Sequence, residues 1–345
     1  MKNKHQKNEP TDSLQSNSFE LIFDDVLQSI RGFQESRIIL TAIELDVFSH
    51  IKKEATAQQV SQEIDTDYRA TEMLLNALTA LKLLKKKGDI YSCSEVALRY
   101  LTEGGADDSR LSLMHSVHLW NNWSYLTECV RKGTSVTLQK TNDHDENWVQ
   151  AFIAAMDKHA KTRATQVVKA VGAVGINKML DIGGGSGTYS IAFASANPHL
   201  QADIFDLPKV IPIAQEHINE AGLEKQIKTR IGDMYRDDFG SGYDLVFISS
   251  ICHMNSPQQN IELLEKSYHA LNPKGKIVIQ DFILNADKTS PQIAAIFSLN
   301  MLVATKAGAS YSDIEYKEWL QKTGFSSITF TLLEGPTDLI VGIHP

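Results

Sequence analysis

Residues 178–187 read KMLDIGGGSG and join a short apolar run to a turn with four glycines in five positions. The stretch that follows, TYSIAFASA, places apolar residues at helical spacing. Glycine adopts tight backbone angles and lets a ligand approach the main chain closely. The start of a helix adds unpaired N–H groups and the positive end of the helix dipole. The pattern therefore predicts a strand, a turn and a helix that bind a nucleotide-like cofactor.

Two carboxylates narrow the choice of cofactor. Asp206 ends a second predicted strand, QADIFDL, 19 residues after Gly187, and an acid at this distance typically binds ribose hydroxyls. That spacing fits a dinucleotide as well as S-adenosylmethionine. Asp181 stands just before the turn, where it would orient the loop or a cationic amine but would repel a pyrophosphate. The turn also reads GxGxG instead of GxGxxG, so an NAD-dependent oxidoreductase is the less favoured alternative.

Three more polar side chains coincide with the ends of predicted strands. Asp233 ends the third strand, His253 follows the fourth, and Asp281 lies within or near the end of the fifth. Core strands rarely bury charged groups without a partner. These placements therefore predict a polar cleft along one edge of a sheet.

The elements that would position these residues alternate between strand and helix. Strands are predicted at 178–183, 201–207, 227–232, 243–250 and 275–284, and SSITFTLL and DLIVGIH form a terminal hairpin around EGPT. Strands separated by helices predict an α/β fold with a parallel sheet covered on both faces, here with one antiparallel strand from the hairpin. This is the layout of a Rossmann-like methyltransferase sheet, in which ligands bind at the carboxyl ends of the strands.

The first half of the chain is predicted to be mostly helical. TAQQVSQEI, DYRATEMLLNALTALKLL and the segment around KKKGDIYSCS indicate two helices and a hairpin, the order of a winged helix. Such a fold binds DNA in some proteins and serves as a dimerisation platform or a lid in others. The basic run at 85–87 lies beside the hairpin, and the second helix carries Asp67 and Glu72, which suit phosphate contacts poorly. Dimerisation is the preferred interpretation, and a DNA-binding regulator stays open as an alternative.

We predict four parts along the chain. Residues 1–17 form a disordered polar tail, 18–110 a winged-helix-like dimerisation domain, 111–171 a helical bridge, and 172–345 an S-adenosylmethionine-binding domain.

Composition excludes several other classes of protein. The 345 residues carry 34 basic and 42 acidic side chains, a net charge of −8, which argues against nucleic-acid binding as the main task. Three separated cysteines form no CxxC pair and suit a reducing cytosol. No apolar run reaches the roughly 18 residues of a membrane span, and the amino terminus lacks the apolar core of a signal peptide. A cytoplasmic location without membrane or nucleic-acid partners is expected.

The second half resembles the S-adenosylmethionine-dependent O-methyltransferases related to acetylserotonin and caffeate O-methyltransferases. The resemblance is carried by LDIGGGSG, IFDLPKVI, GDMY, SSICHMNSPQQNIELLEKSYHALNPKGKIVIQDFIL and SLNMLV. The helical first half resembles the dimerisation domain of that family, so the likeness covers about residues 20–345 and implies a homodimer.

The resemblance implies a set of cofactor-binding residues: Asp181, Gly183, Gly185, Asp206, Asp233, Met234 and Ser249. Gly183 would begin the turn around the methionine part, and Asp206 would hold both ribose hydroxyls. Asp233 and Met234 would receive the adenine. Ser249 stands where relatives often carry a lysine that faces the cofactor.

His253 matches the general base of the family, and Asp281 matches the first of two acids that flank it. The second acid position falls on Ser310, and Met254 follows the histidine where many relatives carry an acid. A loop histidine that caps the next helix is the structural alternative. The missing second acid also leaves nitrogen or carbon methylation open, and another reaction by an enzyme of this fold that retains S-adenosylmethionine is a further alternative.

An acceptor pocket is expected between the two halves. Phe152 and Met156 lie four apart on one helical face, and both match pocket positions of the family, as do Asn300 and Met301. His118, three residues after His115, is expected to line the pocket, although plain packing explains it equally well. No metal is predicted, because the His pair has no third ligand in its motif. The sequence thus predicts an enzyme that methylates a hydroxyl of a small, aromatic molecule.

Overall fold

The computed structural model describes residues 21–51, 53–138 and 144–345. The predicted tail at 1–17 lies outside them. The first half consists of α1 (Phe23–Glu44), α2 (Ala57–Glu63), α3 (Tyr68–Ala80), α4 (Glu95–Tyr100), α5 (Arg110–Ser124), α6 (Leu126–Lys132), α7 (Glu146–Lys161) and α8 (Ala164–Val171). Three short strands, β1 (Ala55–Thr56), β2 (Leu84–Lys87) and β3 (Ile90–Cys93), pair in the order β1-β3-β2.

The second half is built around a seven-stranded sheet. Its elements are β4 (Lys178–Ile182), α9 (Thr188–Ala196), β5 (Gln201–Asp206), α10 (Ile211–Ala221), β6 (Ile227–Ile231), β7 (Tyr243–Ser249), a 3₁₀ helix (Cys252–Met254), α11 (Pro257–Ala270), β8 (Leu271–Asp281), α12 (Gln292–Ala304), α13 (Asp313–Lys322), β9 (Ser326–Thr331) and β10 (Asp338–Ile343).

The strand order is β6-β5-β4-β7-β8-β10-β9. Strands β4 to β8 pair in parallel, and β10 runs antiparallel between β8 and β9. The predicted α/β class with its Rossmann-like sheet is confirmed. The fifth predicted strand, 275–284, starts earlier in the structure, because β8 begins at Leu271. The sequence from Pro273 to Gly275 is typical of a turn, but in the structure it lies in an irregularity of the pairing between β7 and β8.

Period-two alternation explains why the sheet is buried on both faces. In β7, Leu245 and Phe247 pack into the core on one face, and Val246 and Ile248 into the core on the other. Helices cover both faces, so the middle of β7 is apolar and fully buried.

The strand registers bring those ends together. Ile182 lies beside Phe205 on one side and Ile248 on the other, and Ser249 lies beside Gln280. The carboxyl ends of β4, β5, β7 and β8 therefore meet at one edge, as the sequence predicts.

In the first half, α2 and α3 are followed by the hairpin of β2 and β3, the predicted order. Thr56 and Asp67 cap the two helices through their side chains. Helix α5 packs against α1, α7 and α12, so it contacts both halves. The winged-helix assignment and the domain boundaries stay predictions. None of the helices in the described ranges combines the length and apolar character needed to cross a bilayer.

Candidate active site

The glycine turn between β4 and α9 has a backbone that other residues would strain. Gly183, Gly185 and Gly187 have φ of +67°, +59° and +80°. A Cβ on Gly183 would lie 2.4 Å from Cδ1 of Ile251, and one on Gly187 would lie 2.7 Å from Cδ1 of Ile204. At Gly185 the same position is open space. The turn therefore packs tightly on its inner side and exposes main chain at Gly185.

Asp206 connects the end of β5 to this turn. One carboxylate oxygen accepts the Gly185 N–H at 2.8 Å, and the other accepts the Leu207 N–H at 2.7 Å. Burial raises the pKa of Asp206 to about 6. Each oxygen keeps a lone pair, so the carboxylate can also accept two hydroxyl donors from a ligand.

Asp181 lies beneath the turn and is 1% exposed. It accepts a hydrogen bond from Ser190 Oγ of α9 at 2.7 Å, and a Cβ on Gly184 would approach its Cγ to 2.9 Å. Burial raises the pKa of Asp181 to about 7, and the neighbouring charge of Asp206 adds to the rise. This geometry fits the role of orienting the turn.

The loop after β6 carries Asp233 and Met234. Asp233 accepts the Tyr235 N–H at 2.9 Å, and Asp237 accepts the Asp233 N–H at 2.7 Å. Lys266 of α11 donates to the carbonyls of Met234, at 2.7 Å, and Asp237, at 2.5 Å. These bonds fix the loop beside the carboxyl edge of the sheet.

Ser249 ends β7, and its hydroxyl donates to Gln280 Oε1 of β8 at 3.4 Å. The amide of Gln280 in turn donates to Thr337 at 3.0 Å. Ser249 is therefore a short neutral side chain tied to the sheet.

His253 lies in the 3₁₀ helix after β7, with its ring turned toward β8. Its Nδ1 is 2.5 Å from Oδ1 of Asp281, and its backbone N–H donates to Oδ2 at 3.1 Å. Asp281 is fully buried and also accepts the hydroxyl of Tyr316 at 3.0 Å and the N–H of Phe282 at 2.8 Å. A carboxylate bound in this way holds the Nδ1–H tautomer, which leaves Nε2 as the proton acceptor.

The His253 side chain is 7% exposed. Phe297 of α12 meets it edge-on, with ring centroids 4.8 Å apart, and stacks on Phe282 at 3.8 Å. The capping alternative does not describe this residue, because Ser256 caps α11 through a capping box with Gln259. The histidine is held by a carboxylate and an aromatic pair instead.

The second acid position shows no replacement for the missing carboxylate. Ser310 is buried, and its hydroxyl has no hydrogen-bond partner among the described residues. Met254 packs against the core. Tyr316, which sequence reasoning missed, shares Asp281 with the histidine. Burial and the charge of Asp281 raise the pKa of Tyr316 well above its ordinary value, so this hydroxyl keeps its proton and donates.

Aromatic side chains of α5 and α7 form one cluster. Phe152 stacks with Trp148 at 5.3 Å between centroids, and His115 meets Phe152 edge-on at 5.3 Å. His118 lies parallel to Trp148 at 6.3 Å. The Nδ1 atoms of both histidines are buried and have no partner in the described structure. Burial lowers the pKa of His115 to about 4, so it is neutral at physiological pH.

Helix α12 carries the other two predicted acceptor residues, Asn300 and Met301. Asn300 accepts a hydrogen bond from Trp123 Nε1 of α5 at 2.8 Å, which joins α5 to α12. Met301 is buried within α12, and Met156 is half-buried on α7. The structure thus places the predicted acceptor residues on three helices that contact one another through α5.

Asp157 follows Met156 on α7 and was not predicted. It accepts the hydroxyl of Ser186 at 2.9 Å and that of Thr188, and it pairs with Lys161 at 2.7 Å. The helix that carries Phe152 and Met156 is thereby attached to the glycine turn. A sign was present in the sequence, because this acid occupies a stripe of buried residues with Val149, Ile153 and Ala160.

Comparison with known proteins decides the family. The sequence model of the O-methyltransferase domain matches residues 123–326, and that of the O-methyltransferase dimerisation domain matches residues 27–103. The chain belongs to the O-methyltransferase family. This membership confirms the predicted resemblance, the methyltransferase activity and the use of S-adenosylmethionine.

Individual relatives of this chain are also methyltransferases by name. The 3-hydroxy-5-methyl-1-naphthoate 3-O-methyltransferase of Streptomyces sahachiroi is 31% identical over 313 residues, 88% of this chain and 90% of the relative. The L-tyrosine C(3)-methyltransferase of Streptomyces lavendulae is 28% identical and covers 88% and 87%. The structure of PigF with SAH, a methyltransferase of Serratia sp., is 26% identical, with a TM-score of 0.86 over 94% of this chain and all of that chain.

The residues present fit S-adenosylmethionine. The turn exposes main chain at Gly185 where a Cβ would project into open space, and the Asp206 carboxylate retains acceptor capacity beside it. Asp233 and Met234 stand on a fixed loop at the same edge. Burial raises the pKa values of Asp181 and Asp206 at this edge, and a cationic ligand would favour their charged forms.

Proposed function

We propose that this enzyme methylates a hydroxyl group of a small aromatic molecule, with His253 as the general base. The 2.5 Å contact between His253 Nδ1 and Asp281 supports this proposal most directly. It fixes the tautomer and aims Nε2 away from the carboxylate. Asp281 acts as the residue that orients the imidazole and stabilises its charged form.

A base is useful here because hydroxyl groups are poor nucleophiles before they lose a proton. A phenol titrates near ~10 and imidazole near ~6.5, so His253 does not ionise the phenol in advance. It accepts the proton as the new O–C bond forms, which contributes roughly 10²- to 10⁴-fold to the rate. Bound S-adenosylmethionine supplies a methyl group already activated by its positive sulfonium.

The cofactor would be held by the edge of the sheet. Asp206 would accept both ribose hydroxyls, a charge-assisted contact. Asp233 would bind the exocyclic amine of adenine, and Met234 would contact its face. The turn at Gly183 and Gly185 would surround the methionine part, with Asp181 beneath it, and Ser249 would face the cofactor.

The acceptor would bind between α5, α7 and α12. Phe152, Met156 and Met301 offer apolar and polarisable contacts to a flat ring. Asn300 and His118 add polar atoms to these contacts. The name of the 31% identical relative, which includes a hydroxynaphthoate, supports an aromatic acceptor.

A homodimer is also proposed. Helix α1 exposes an apolar stripe at Phe23 (72%), Val26 (37%), Ile30 (62%) and Phe33 (55%), spaced three and four residues apart. An exposed stripe of this kind is typical of a helix that packs against a partner. Part of it lies within the matched dimerisation domain.

The test combines a screen with one substitution. Phenols, indoles, phenazines and 3-hydroxy-5-methyl-1-naphthoate are incubated with S-adenosylmethionine, and products heavier by one methyl group are identified by mass spectrometry. His253→Ala should lower turnover at least about a hundredfold while S-adenosylhomocysteine still binds in calorimetry. Turnover that survives this substitution would refute the base.

Carbon methylation is the second candidate, because a single acid flanks His253 and a 28% identical relative is a C-methyltransferase by name. NMR of the product distinguishes a methyl group on oxygen from one on carbon or nitrogen.

A further inference from the structure

A network of buried asparagine side chains lies beside His253 and has no role in the mechanism above. Asn255 directly follows the 3₁₀ helix of His253 and is fully buried. Its Nδ2 donates to Asn260 Oδ1 at 3.0 Å, and Asn260, also fully buried, donates to the carbonyl of Cys252 at 2.9 Å. The hydroxyl of Tyr311 donates to the carbonyl of Asn255. The backbone is thus bound by side chains on both sides of His253.

The network also reaches the loop that carries Asp233 and Met234. Tyr235, the next residue of that loop, donates its hydroxyl to Asn255 Oδ1 at 2.6 Å. Half of the Tyr235 residue is exposed, but partial burial raises its pKa to about 12, so the hydroxyl keeps the proton that it donates. The amide of Asn255 therefore accepts from the cofactor loop and donates toward the helix that holds the histidine segment.

Burying an amide side chain costs free energy unless its donors and acceptors form hydrogen bonds. Here each hydrogen bond of the network joins two separate segments of the protein. The loop after β6 is separated from the 3₁₀ helix and α11 by β7, with Tyr235 20 residues before Asn255, and Lys266 of α11 also binds the loop. A shift of the loop would leave the amide of Asn255 unsatisfied, so the loop and the histidine segment are ordered together.

We propose that Asn255 is a positioning residue, through which adenosine binding at the Asp233 loop orders the His253 segment. The proposal rests on the proposed function, because it uses the assigned adenine loop and the assigned base. When the loop is ordered by a ligand, Tyr235 is held on Asn255, and the backbone at 252–255 gains protection from opening. Catalysis then begins from a histidine that is already held in place.

The experiment is hydrogen exchange measured by mass spectrometry on the full-length protein, with and without saturating S-adenosylhomocysteine. In the wild type, a peptide that spans 250–256 should gain protection on binding. Tyr235→Phe removes only the hydroxyl and should abolish most of this gain, while a peptide that spans the glycine turn keeps its own. A merely structural role would speed exchange in both states and leave the difference unchanged.

Tyr243→Phe is the matched control. Tyr243 also donates its hydroxyl to a side chain, Asp203, at 2.7 Å, but at the opposite end of β7. This variant should show the wild-type gain at 250–256. With the acceptor found in the screen, Tyr235→Phe should lower kcat roughly tenfold, the effect of one lost hydrogen bond, with KM unchanged.

Either of two hydrogen-exchange results would overturn the inference: a full gain of protection in Tyr235→Phe, or no gain at 250–256 in the wild type. Loss of S-adenosylhomocysteine binding in Tyr235→Phe would also overturn it, because Tyr235 would then be a binding residue. Failure of the base assignment is recognised separately, since it appears as turnover in His253→Ala and does not affect the exchange experiment.

Discussion

Replacement of Asp281 by asparagine tests how the buried carboxylate assists His253. The substitution keeps the size of the side chain and removes its charge. Two unit charges about 4 Å apart attract by about 4 kcal/mol at an effective dielectric constant near 20. About half of that charge develops when the proton is halfway transferred, so the transition state loses about 2 kcal/mol.

A second loss follows from the hydrogen-bond donors around Asp281. His253 Nδ1 and Tyr316 contact different oxygens of this carboxylate, and the two backbone N–H groups are likewise divided between the oxygens. In Asp281→Asn, the amide N–H₂ group replaces one of these oxygens and therefore faces hydrogen-bond donors that it cannot accept. Each such mismatch in a buried site costs roughly 1–3 kcal/mol. Part of this loss appears as a lower free energy of unfolding. The rest appears as slower turnover, because the imidazole ring of His253 is no longer held in its orientation.

Turnover of Asp281→Asn should therefore fall roughly 30- to 300-fold at 1.4 kcal/mol per factor of ten. The assay is product formation under saturating S-adenosylmethionine with the acceptor from the screen, at a temperature below the melting point of the variant. Tyr316→Phe is the control, since it removes one donor and keeps the charge, and should cost less than roughly tenfold.

A double-mutant cycle decides whether Asp281 acts through the histidine. In the His253→Ala background, Asp281→Asn should change the residual turnover by less than about threefold. A further loss comparable to that in the wild type would refute the reasoning, because the carboxylate would then act on the reaction independently of His253.

Three other predictions concern the cofactor turn, pH and assembly. Gly185→Ala and Gly222→Ala place a Cβ into open space at φ of +59° and +68°, so each should lower the free energy of unfolding by roughly 1–2 kcal/mol. Only Gly185→Ala should weaken S-adenosylhomocysteine binding in calorimetry, and equal affinities would contradict the assigned turn. The pKa of Asp181 rises from 3.8 to about 7 on folding, so the folded state is progressively destabilised as pH rises from about 4 to about 7. Asp206, whose pKa rises to about 6, adds a slope of the same sign, so Asp181→Asn should reduce this dependence in thermal melts without abolishing it, whereas Asp89→Asn on the exposed hairpin should leave it unchanged. An unchanged slope in Asp181→Asn would argue against a buried neutral carboxyl at this position. Ile30→Asp should convert a dimer to a monomer in light scattering while Gln28→Asp, on the opposite and exposed face of α1, leaves it intact, and a wild-type monomer would remove the proposed role of the α1 stripe.

The sequence predicts those features that depend on local pattern and on the rule that parallel strands end together. The glycine turn, Asp206 and the pair of His253 and Asp281 belong to this group, because each follows a strand whose apolar run is unmistakable. The edge of a parallel sheet then brings them close without any knowledge of side-chain contacts.

Other features depend on packing between distant segments. Tyr316 reaches Asp281 from α13, Asp157 reaches the glycine turn from α7, and Tyr235 reaches Asn255 across two loops. Each is an ordinary polar residue in its own helix or loop, so pattern alone does not distinguish it. The early start of β8 was missed for a related reason, since Pro273 and Gly275 are typical of turns but lie in a bulge.

The position of β10 has a consequence for the folding of the sheet. This strand follows β8 and β9 in sequence, yet it lies between them in the sheet, with Asp338 opposite Asp281 and Ile343 opposite Lys276. Until β10 pairs, β8 has an unpaired edge and β9 has no neighbour on which to form. The carboxylate that holds the histidine therefore acquires its final surroundings only after β10 is inserted, and local opening of this one strand leaves an unpaired sheet edge beside Asp281.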